Sequence, residues 1–126
     1  MKLLLDTSVL VDHLRGDERA VELLLAANRR GDELWGVVLT RTEIVRGVRA
    51  GEGRATRRLL DALAWQEVTI EIADRAGELA RRYRRSHPGV DIVDFIIGAA
   101  AEYLDANLHT RNTKHFPMLP NLAPPY

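Results

Sequence analysis

The chain has 126 residues, no cysteine and a formal net charge of zero, from 18 basic and 18 acidic side chains. This length is typical of one domain with its own hydrophobic core, and the lack of cysteine excludes disulfides and thiolate metal sites. Zero net charge argues against a protein that binds polyanions through bulk charge. No apolar run approaches the ~20 residues that cross a bilayer, and no export leader is visible, so we expect one cytoplasmic domain over residues 1–126.

The first part of the chain predicts a strand and two helices. KLLLD is expected to be a buried strand that ends at Asp6, and SVLVDHLRG a helix that stops at Gly16. DERAVELLLAANRRG predicts a second helix that ends at Gly31. The stripe that this helix is expected to bury consists of Val21, Leu24, Leu25 and Asn28.

The middle of the chain continues the alternation of strands and helices. ELWGVVLT is mostly apolar and predicts a central strand, and RTEIVRGVRAG predicts a helix that starts at Thr40. GRATRRLLDALAW predicts another helix, QEVTI a brief strand, and EIADRAGELARRYRRSH an amphipathic helix. Two sets of side chains are expected to face inward from these helices: Ala55, Leu59, Leu60 and Leu63, and then Ile72, Ala76, Leu79, Ala80 and Tyr83.

The last part of the chain follows a break at Pro88 and Gly89. DIVDFIIGAAAEYLDA is apolar nearly all the way round, which predicts a helix buried on most sides. NLHTRN predicts a last short strand with polar residues where it ends. The remaining stretch, FPMLPNLAPPY, holds four of the five prolines, so we expect an irregular tail over residues 117–126 that packs on the surface.

Strands that alternate with helices predict an α/β fold, a short parallel sheet between two layers of helices. Ligands of such sheets bind beyond the carboxyl ends of the strands. Three polar stretches are expected at those ends: Asp6, residues 40–43 and residues 110–112. The sequence therefore predicts a polar site at one edge of the sheet.

Carboxylates from three distant parts of the chain are expected to meet at this edge. They are Asp6, Glu43 and Asp94, with Asp91 on the same helical face as Asp94. Carboxylates that converge in a partly dry cleft repel one another, and a bound cation relieves the repulsion. An all-oxygen ligand set favours Mg²⁺, with Mn²⁺ as a substitute, and such sites serve phosphodiester cleavage.

Each of these acids also has a structural interpretation. Asp6 and Asp91 stand where helix N-caps are expected. Glu43 follows Thr40 by three residues, which is the capping-box spacing. Asp94 is the hardest to explain by capping, because it lies within an otherwise apolar helix. Gly98 and Ala101 continue the face of Asp94 with small side chains, so we expect open space beside it.

The basic residues are 16 arginines and two lysines, bunched in RTEIVRGVRAGEGRATRR and RRYRRSH. These runs are either solvated helix faces or a rim that faces phosphates. His115 follows the last polar turn, where it could approach a bound phosphate.

Four motifs occur in a familiar order: LLLDTSVLVD, TEIVRG, DFIIGAAA and HTRNTKHFPML. Together they resemble the PIN domain, and specifically the VapC-type toxins of toxin–antitoxin pairs, over essentially the whole chain. Gly98 stands where these relatives usually have alanine, and His115 replaces a later aspartate. The resemblance implies a three-layer α/β/α domain with Mg²⁺-dependent endoribonuclease activity, in which a metal-activated water hydrolyses RNA.

The resemblance also assigns roles to residues. It implies that Asp6, Glu43 and Asp94 bind the metal and that Asn112 completes the catalytic set. Auxiliary roles fall on Asp91, Thr7, Ser8, Thr110 and His115. Contacts to RNA phosphates are expected from Arg111, Arg41 and Arg46.

The same resemblance implies a VapB-like antitoxin as partner, and a homodimer that forms a larger assembly with it. Two other functions remain open at this point: a catalytically weak PIN-like binding module, and a metal-dependent nuclease that acts on DNA. A receiver domain and a D-x-D phosphatase are disfavoured, since the first needs an acidic pair and a later lysine, and position 8 is serine.

Overall fold

The computed structural model describes all 126 residues. Its four strands are β1 (Lys2–Leu5), β2 (Glu33–Val37), β3 (Ala64–Gln66) and β4 (Asn107–His109). Its helices are α1 (Thr7–Leu14), α2 (Glu18–Arg29), α3 (Val38–Arg46), α4 (Gly53–Ala62), α5 (Ile70–Tyr83) and α6 (Ile92–Leu104), followed by a 3₁₀ turn at Thr113–His115. None of these helices has the length and hydrophobicity needed to cross a bilayer.

The strands form one sheet, all parallel, in the order β3-β2-β1-β4. Successive side chains of β1 enter different cores: Leu4 packs with α5 and α6, whereas Leu3 and Leu5 pack with the helices of the other face. A strand that is buried on both faces is typical of a parallel sheet covered by helices. The predicted three-layer α/β/α fold with a short parallel sheet is confirmed.

The order of the strands brings the ends of β1 and β4 together. Along the chain, β2 is added beside β1 and β3 beside β2, and β4 is then added on the other side of β1. The Asp6 N–H donates to the His109 carbonyl at 3.0 Å, which joins the two strands at their carboxyl ends. This reversal creates a crevice at the edge of the sheet, where α/β proteins bind ligands.

The boundary between β2 and α3 differs from the prediction. β2 ends at Val37 and α3 begins at Val38 without a loop, so Thr40 lies inside the helix. The run VVLT has the β-branched composition of a strand, but packing over the sheet outweighs that local preference. The predicted capping box of Thr40 and Glu43 is therefore wrong, since the N-cap is Val37 and the Thr40 hydroxyl is buried with no hydrogen-bond partner.

Two helices bury only part of the face that was expected. The buried residues of α2 are Ala20, Leu24 and Ala27, while Leu25 is 46% exposed. In α4, Thr56 rather than Ala55 is buried beside Leu59 and Leu60. In both helices small or polar residues lie on the buried face, and the hydrophobicity pattern alone gives them too little weight.

The other segments follow the prediction more closely. α5 buries Ile72, Ala76 and Leu79 as expected, and α6 is buried over most of its surface. β3 begins two residues earlier than the predicted strand QEVTI and ends at Gln66, because Thr69 is already the N-cap of α5 and accepts the Ile72 N–H at 3.1 Å. The tail after residue 115 has no helix or strand, yet Met118 is buried in the core rather than on the surface.

Two glycines make room for neighbouring side chains. A Cβ on Gly36 would lie 2.5 Å from Cζ3 of Trp65, which faces it from β3. A Cβ on Gly98 would lie 2.7 Å from Sδ of Met118. The space expected beside Asp94 at Gly98 is therefore filled by the tail.

Candidate active site

The carboxyl edge of the sheet opens into a polar cleft of about 530 Å³. Its walls come from the ends of β1 and β4, from α1 and α3, and from the start of α6. The lining residues are Asp6, Thr7, Ser8, Val11, Asp12, Glu43, Asp91, Val93, Asp94, Arg111 and Asn112. The cleft therefore brings together the three acids that the sequence places far apart.

Asp6 is the buried acid at the base of the cleft, only 5% exposed. It occupies the N-cap position of α1, but its side chain caps no backbone N–H. Instead, its Oδ2 accepts hydrogen bonds from the hydroxyls of Thr110, at 2.7 Å, and Ser8, at 3.4 Å. Both bonds end on Oδ2, which leaves Oδ1 free to bind a ligand in the cleft. Capping therefore does not explain Asp6.

Asp94 stands at the opposite wall, in the first turn of α6. Burial raises the pKa of its carboxyl to about 6; the charges of Asp6 and Asp91 add to the rise, and His115 opposes it. The His115 Nδ1 lies 3.2 Å from Asp94 Oδ2. An ionised carboxylate that is partly desolvated and repelled by other acids is a good ligand for a cation.

Asp91 has the capping role that its position predicts. Its Oδ1 accepts the Val93 N–H at 3.0 Å and so begins α6. Because Asp91 also lines the cleft, capping and an auxiliary role at the site are compatible.

Glu43 reaches the cleft from the second turn of α3. Its Oε1 accepts a hydrogen bond from the Thr7 hydroxyl at 3.0 Å. The bond ties α3 to the beginning of α1, beside Asp6. The structure thus gives Thr7 a defined task, to orient the Glu43 carboxylate.

The segment after β4 is fastened to the segment after β1. The Arg111 N–H donates to Ser8 Oγ at 3.1 Å, and the Asn112 N–H donates to Thr110 Oγ1 at 3.0 Å. Thr110 is fully buried, whereas Asn112 is exposed on the cleft. These bonds fix the backbone of residues 110–112 beside the cleft, and of the three side chains only that of Thr110 takes part in them.

Some predicted residues lie elsewhere. Arg41 stacks over the Trp65 ring at 5.2 Å, and neither Arg41 nor Arg46 lines the cleft. Conversely, Asp12 lines the cleft, although it was not among the residues predicted for the site. Asp12 follows Ser8 by four residues on α1, so both lie on one helical face. That spacing is the feature of the sequence that could have placed Asp12 at the site.

The donor set can be compared with the needs of a divalent cation. No three acidic or histidine side chains lie close enough to form a ready-made metal cage. Mg²⁺ needs no such cage, because it keeps several waters and usually takes one or two protein carboxylates along with substrate phosphate oxygens. The free oxygen of Asp6 and the raised pKa of Asp94 fit that requirement.

The fold and the acidic cleft define the class of protein. Residues 3–119 match the PIN domain, and the chain belongs to that family.

Within the family the chain is similar to ribonucleases named VapC. It is 47% identical over 123 residues to ribonuclease VapC19 of Mycobacterium tuberculosis, covering 98% of each chain. It is 42% identical over 124 residues to ribonuclease VapC10 of the same organism, covering 98% of this chain and 92% of the relative. In structure it is similar to a toxin–antitoxin complex from Klebsiella pneumoniae, with a TM-score of 0.78, 27% identity and 98% of both chains covered.

Proposed function

We propose that this protein is an endoribonuclease that uses a divalent cation, and that it acts as the toxin of a toxin–antitoxin pair. The observation that carries the proposal is the meeting of Asp6, Glu43 and Asp94 in one cleft at the carboxyl edge of the sheet. Capping accounts for neither Asp6 nor Glu43. Relatives at 47% and 42% identity that are named ribonucleases support RNA as the substrate.

Asp6 and Asp94 would hold Mg²⁺, or Mn²⁺ in its place, and Glu43 would help either directly or through water. When bound, the ion supplies positive charge for the scissile phosphate and an activated water for attack on phosphorus. Thr110 and Ser8 keep the Asp6 carboxylate oriented through their hydrogen bonds.

Two further residues of the cleft would contact the RNA, and His115 would support Asp94. Asn112 is exposed on the cleft, where its side-chain amide can orient a phosphate oxygen or a water. Arg111 can neutralise a neighbouring phosphate. His115, beside Asp94, can donate a hydrogen bond to the same carboxylate and so limit its mobility before RNA arrives.

The proposed partner is a VapB-like antitoxin, which the similarity to a toxin–antitoxin complex from Klebsiella pneumoniae supports. We also propose a homodimer, which would present two clefts to the partner. Light scattering after size-exclusion chromatography, of the chain alone and together with the product of the adjacent reading frame, tests both assemblies.

Sequencing of RNA 5′ ends after brief expression tests the proposed activity. Wild type should produce new ends at discrete sites, and Asp94→Asn should produce none, because it removes a charged ligand while keeping the shape of the side chain. Asp105→Asn is a matched control at the other end of α6; its backbone φ of 51° suits asparagine, so it should cleave like wild type.

The purified protein gives the second arm of the test. Cleavage of the identified RNA should stop on chelation and return with Mn²⁺. Retained cleavage by Asp94→Asn, or cleavage that resists chelation, would contradict the proposal. Cleavage of a DNA strand of the same sequence at an equal rate would instead identify a nuclease that does not select RNA.

A further inference from the structure

The cleft has a single cationic residue, and an acid from α1 binds it. Among the lining residues only Arg111 carries a positive charge. Its Nη1 donates to both carboxylate oxygens of Asp12, at 3.2 and 3.0 Å. The Arg111 side chain is 53% exposed and that of Asp12 only 16%, so Asp12 is the fixed member of the pair.

A residue of the tail in turn binds Asp12. The hydroxyl of Tyr126 donates to Asp12 Oδ2, the same oxygen that lies 3.0 Å from Arg111. Burial, together with the hydrogen bond to Asp12, raises the pKa of Tyr126 well above its usual range, so the hydroxyl keeps its proton and remains a donor. Tyr126 therefore contacts Asp12, and Asp12 contacts Arg111, which lines the cleft.

The tyrosine ring has its own anchors, independent of the hydroxyl. It packs against the core cluster that contains Leu5, Val9 and Leu10. The Arg19 guanidinium lies over the ring, 5.1 Å from its centre. The ring therefore stays in place when only the hydroxyl is removed, which makes its role testable.

We propose that Tyr126 is a positioning residue for RNA binding: through Asp12 it holds the Arg111 guanidinium at the rim of the cleft, aimed at an RNA phosphate. This inference rests on the proposed ribonuclease function and adds a tail residue to it. An arginine that is already ordered loses less side-chain entropy when it binds phosphate. Asp12, held by this neutral hydroxyl, then orients the arginine.

The variant that isolates this role is Tyr126→Phe. It keeps the ring and removes the hydrogen bond to Asp12, so Arg111 should become less ordered. We expect KM for RNA to rise about threefold to tenfold, the range of one hydrogen bond, while kcat stays within about twofold. Tyr103→Phe is the matched control, because Tyr103 is 51% exposed on α6 and does not line the cleft.

A double-mutant cycle separates positioning from loss of stability. In an Arg111→Ala background, Tyr126→Phe should change KM no further, because its effect passes through Arg111. The inference is overturned if Tyr126→Phe leaves KM unchanged or lowers it, or if it raises KM equally in the Arg111→Ala background.

An NMR measurement on the RNA-free protein distinguishes failure of this inference from failure of the proposed function. The Arg111 Nε–H resonance should shift and its order parameter should fall in Tyr126→Phe but not in Tyr103→Phe. If wild type cleaves no RNA, the proposed function fails, and this resonance alone decides whether Tyr126 positions Arg111. An unchanged resonance would overturn the inference in either case.

Discussion

Replacing Asp94 by asparagine should make the metal-free protein more stable while it abolishes the proposed cleavage. The structure gives the reason. The pKa of Asp94 rises from an ordinary 3.8 to about 6, which means that folding disfavours its ionised form. An asparagine at this position would have nearly the same shape and no charge, so the folded state would no longer contain that unfavourable carboxylate.

The size of the effect follows from the pKa. A tenfold change in a protonation equilibrium corresponds to about 1.4 kcal/mol, so a rise from 3.8 to about 6 corresponds to at most about 3 kcal/mol near pH 8. The Asp94 side chain is 18% exposed, so solvent screens part of the repulsion from Asp6 and Asp91. We therefore expect Asp94→Asn to raise the free energy of unfolding by about 1–2 kcal/mol.

The pH dependence has a definite sign. A carboxyl whose pKa is raised by folding favours the folded state below its unfolded pKa, and this contribution is lost as the pH rises through the folded value. Wild type should therefore lose stability relative to Asp94→Asn between about pH 4 and pH 6, and the difference should level off above that range. Binding of Mg²⁺ needs the ionised carboxylate, so the affinity for the ion should fall as the pH is lowered through about 6.

Urea denaturation in chelator from about pH 4 to about pH 8 measures the difference. Asp105→Asn serves as the control, since it removes one acidic charge from the same helix outside the cleft. Addition of Mg²⁺ should then stabilise wild type but not Asp94→Asn. Equal or lower stability of Asp94→Asn near pH 8 in chelator would refute the reasoning about repulsion in the cleft.

Three further substitutions test particular contacts. Gly36→Ala should cost about 1–3 kcal/mol of stability by overpacking against Trp65, as measured by denaturation, and should cost clearly less in a Trp65→Leu background. Thr40→Val should be neutral or stabilise by about 1 kcal/mol, since it removes a buried hydroxyl without a partner; a loss above about 1 kcal/mol would reveal a hidden hydrogen bond. Asn112→Asp should tighten Mn²⁺ binding without RNA by calorimetry, and an unchanged affinity would place Asn112 outside the metal's ligands.

The sequence predicts the architecture well, because the hydrophobicity of single segments already indicates which strand and which helix are buried. Leu3, Leu4 and Leu5 are apolar on both faces of the strand, which is typical of a parallel strand covered by helices, and α6 is apolar nearly all round. The position of Asp6 follows from the same logic, because β1 ends at the carboxyl edge of the sheet. Asp94 reaches that edge from the first turn of α6, the helix that precedes β4.

The sequence failed where two local signals competed. VVLT has the composition of a strand and T-x-x-E the spacing of a capping box, yet residues 38–46 form a helix that begins directly after β2. Only the packing of that helix over the sheet decides between these alternatives. The choice matters for function, because it excludes the capping interpretation of Glu43, which lies in the wall of the cleft.

The contacts of the tail could not be predicted at all. Asp12 and Tyr126 are separated by 114 positions, and no periodicity links a proline-rich tail to α1. Likewise, the small residue at Gly98 predicted open space, and only the structure reveals that Met118 fills it.

The central claim is that acids from three parts of the chain meet around one divalent cation. Anomalous diffraction from crystals of the protein grown with Mn²⁺ tests it most directly. We expect a manganese peak in the cleft at about 2.0–2.3 Å from oxygens of Asp6 and Asp94. Glu43 should contact the ion either directly or through one water. Crystals of Asp94→Asn should show no such peak. A peak bound by other residues, or an empty cleft at millimolar Mn²⁺, would contradict it.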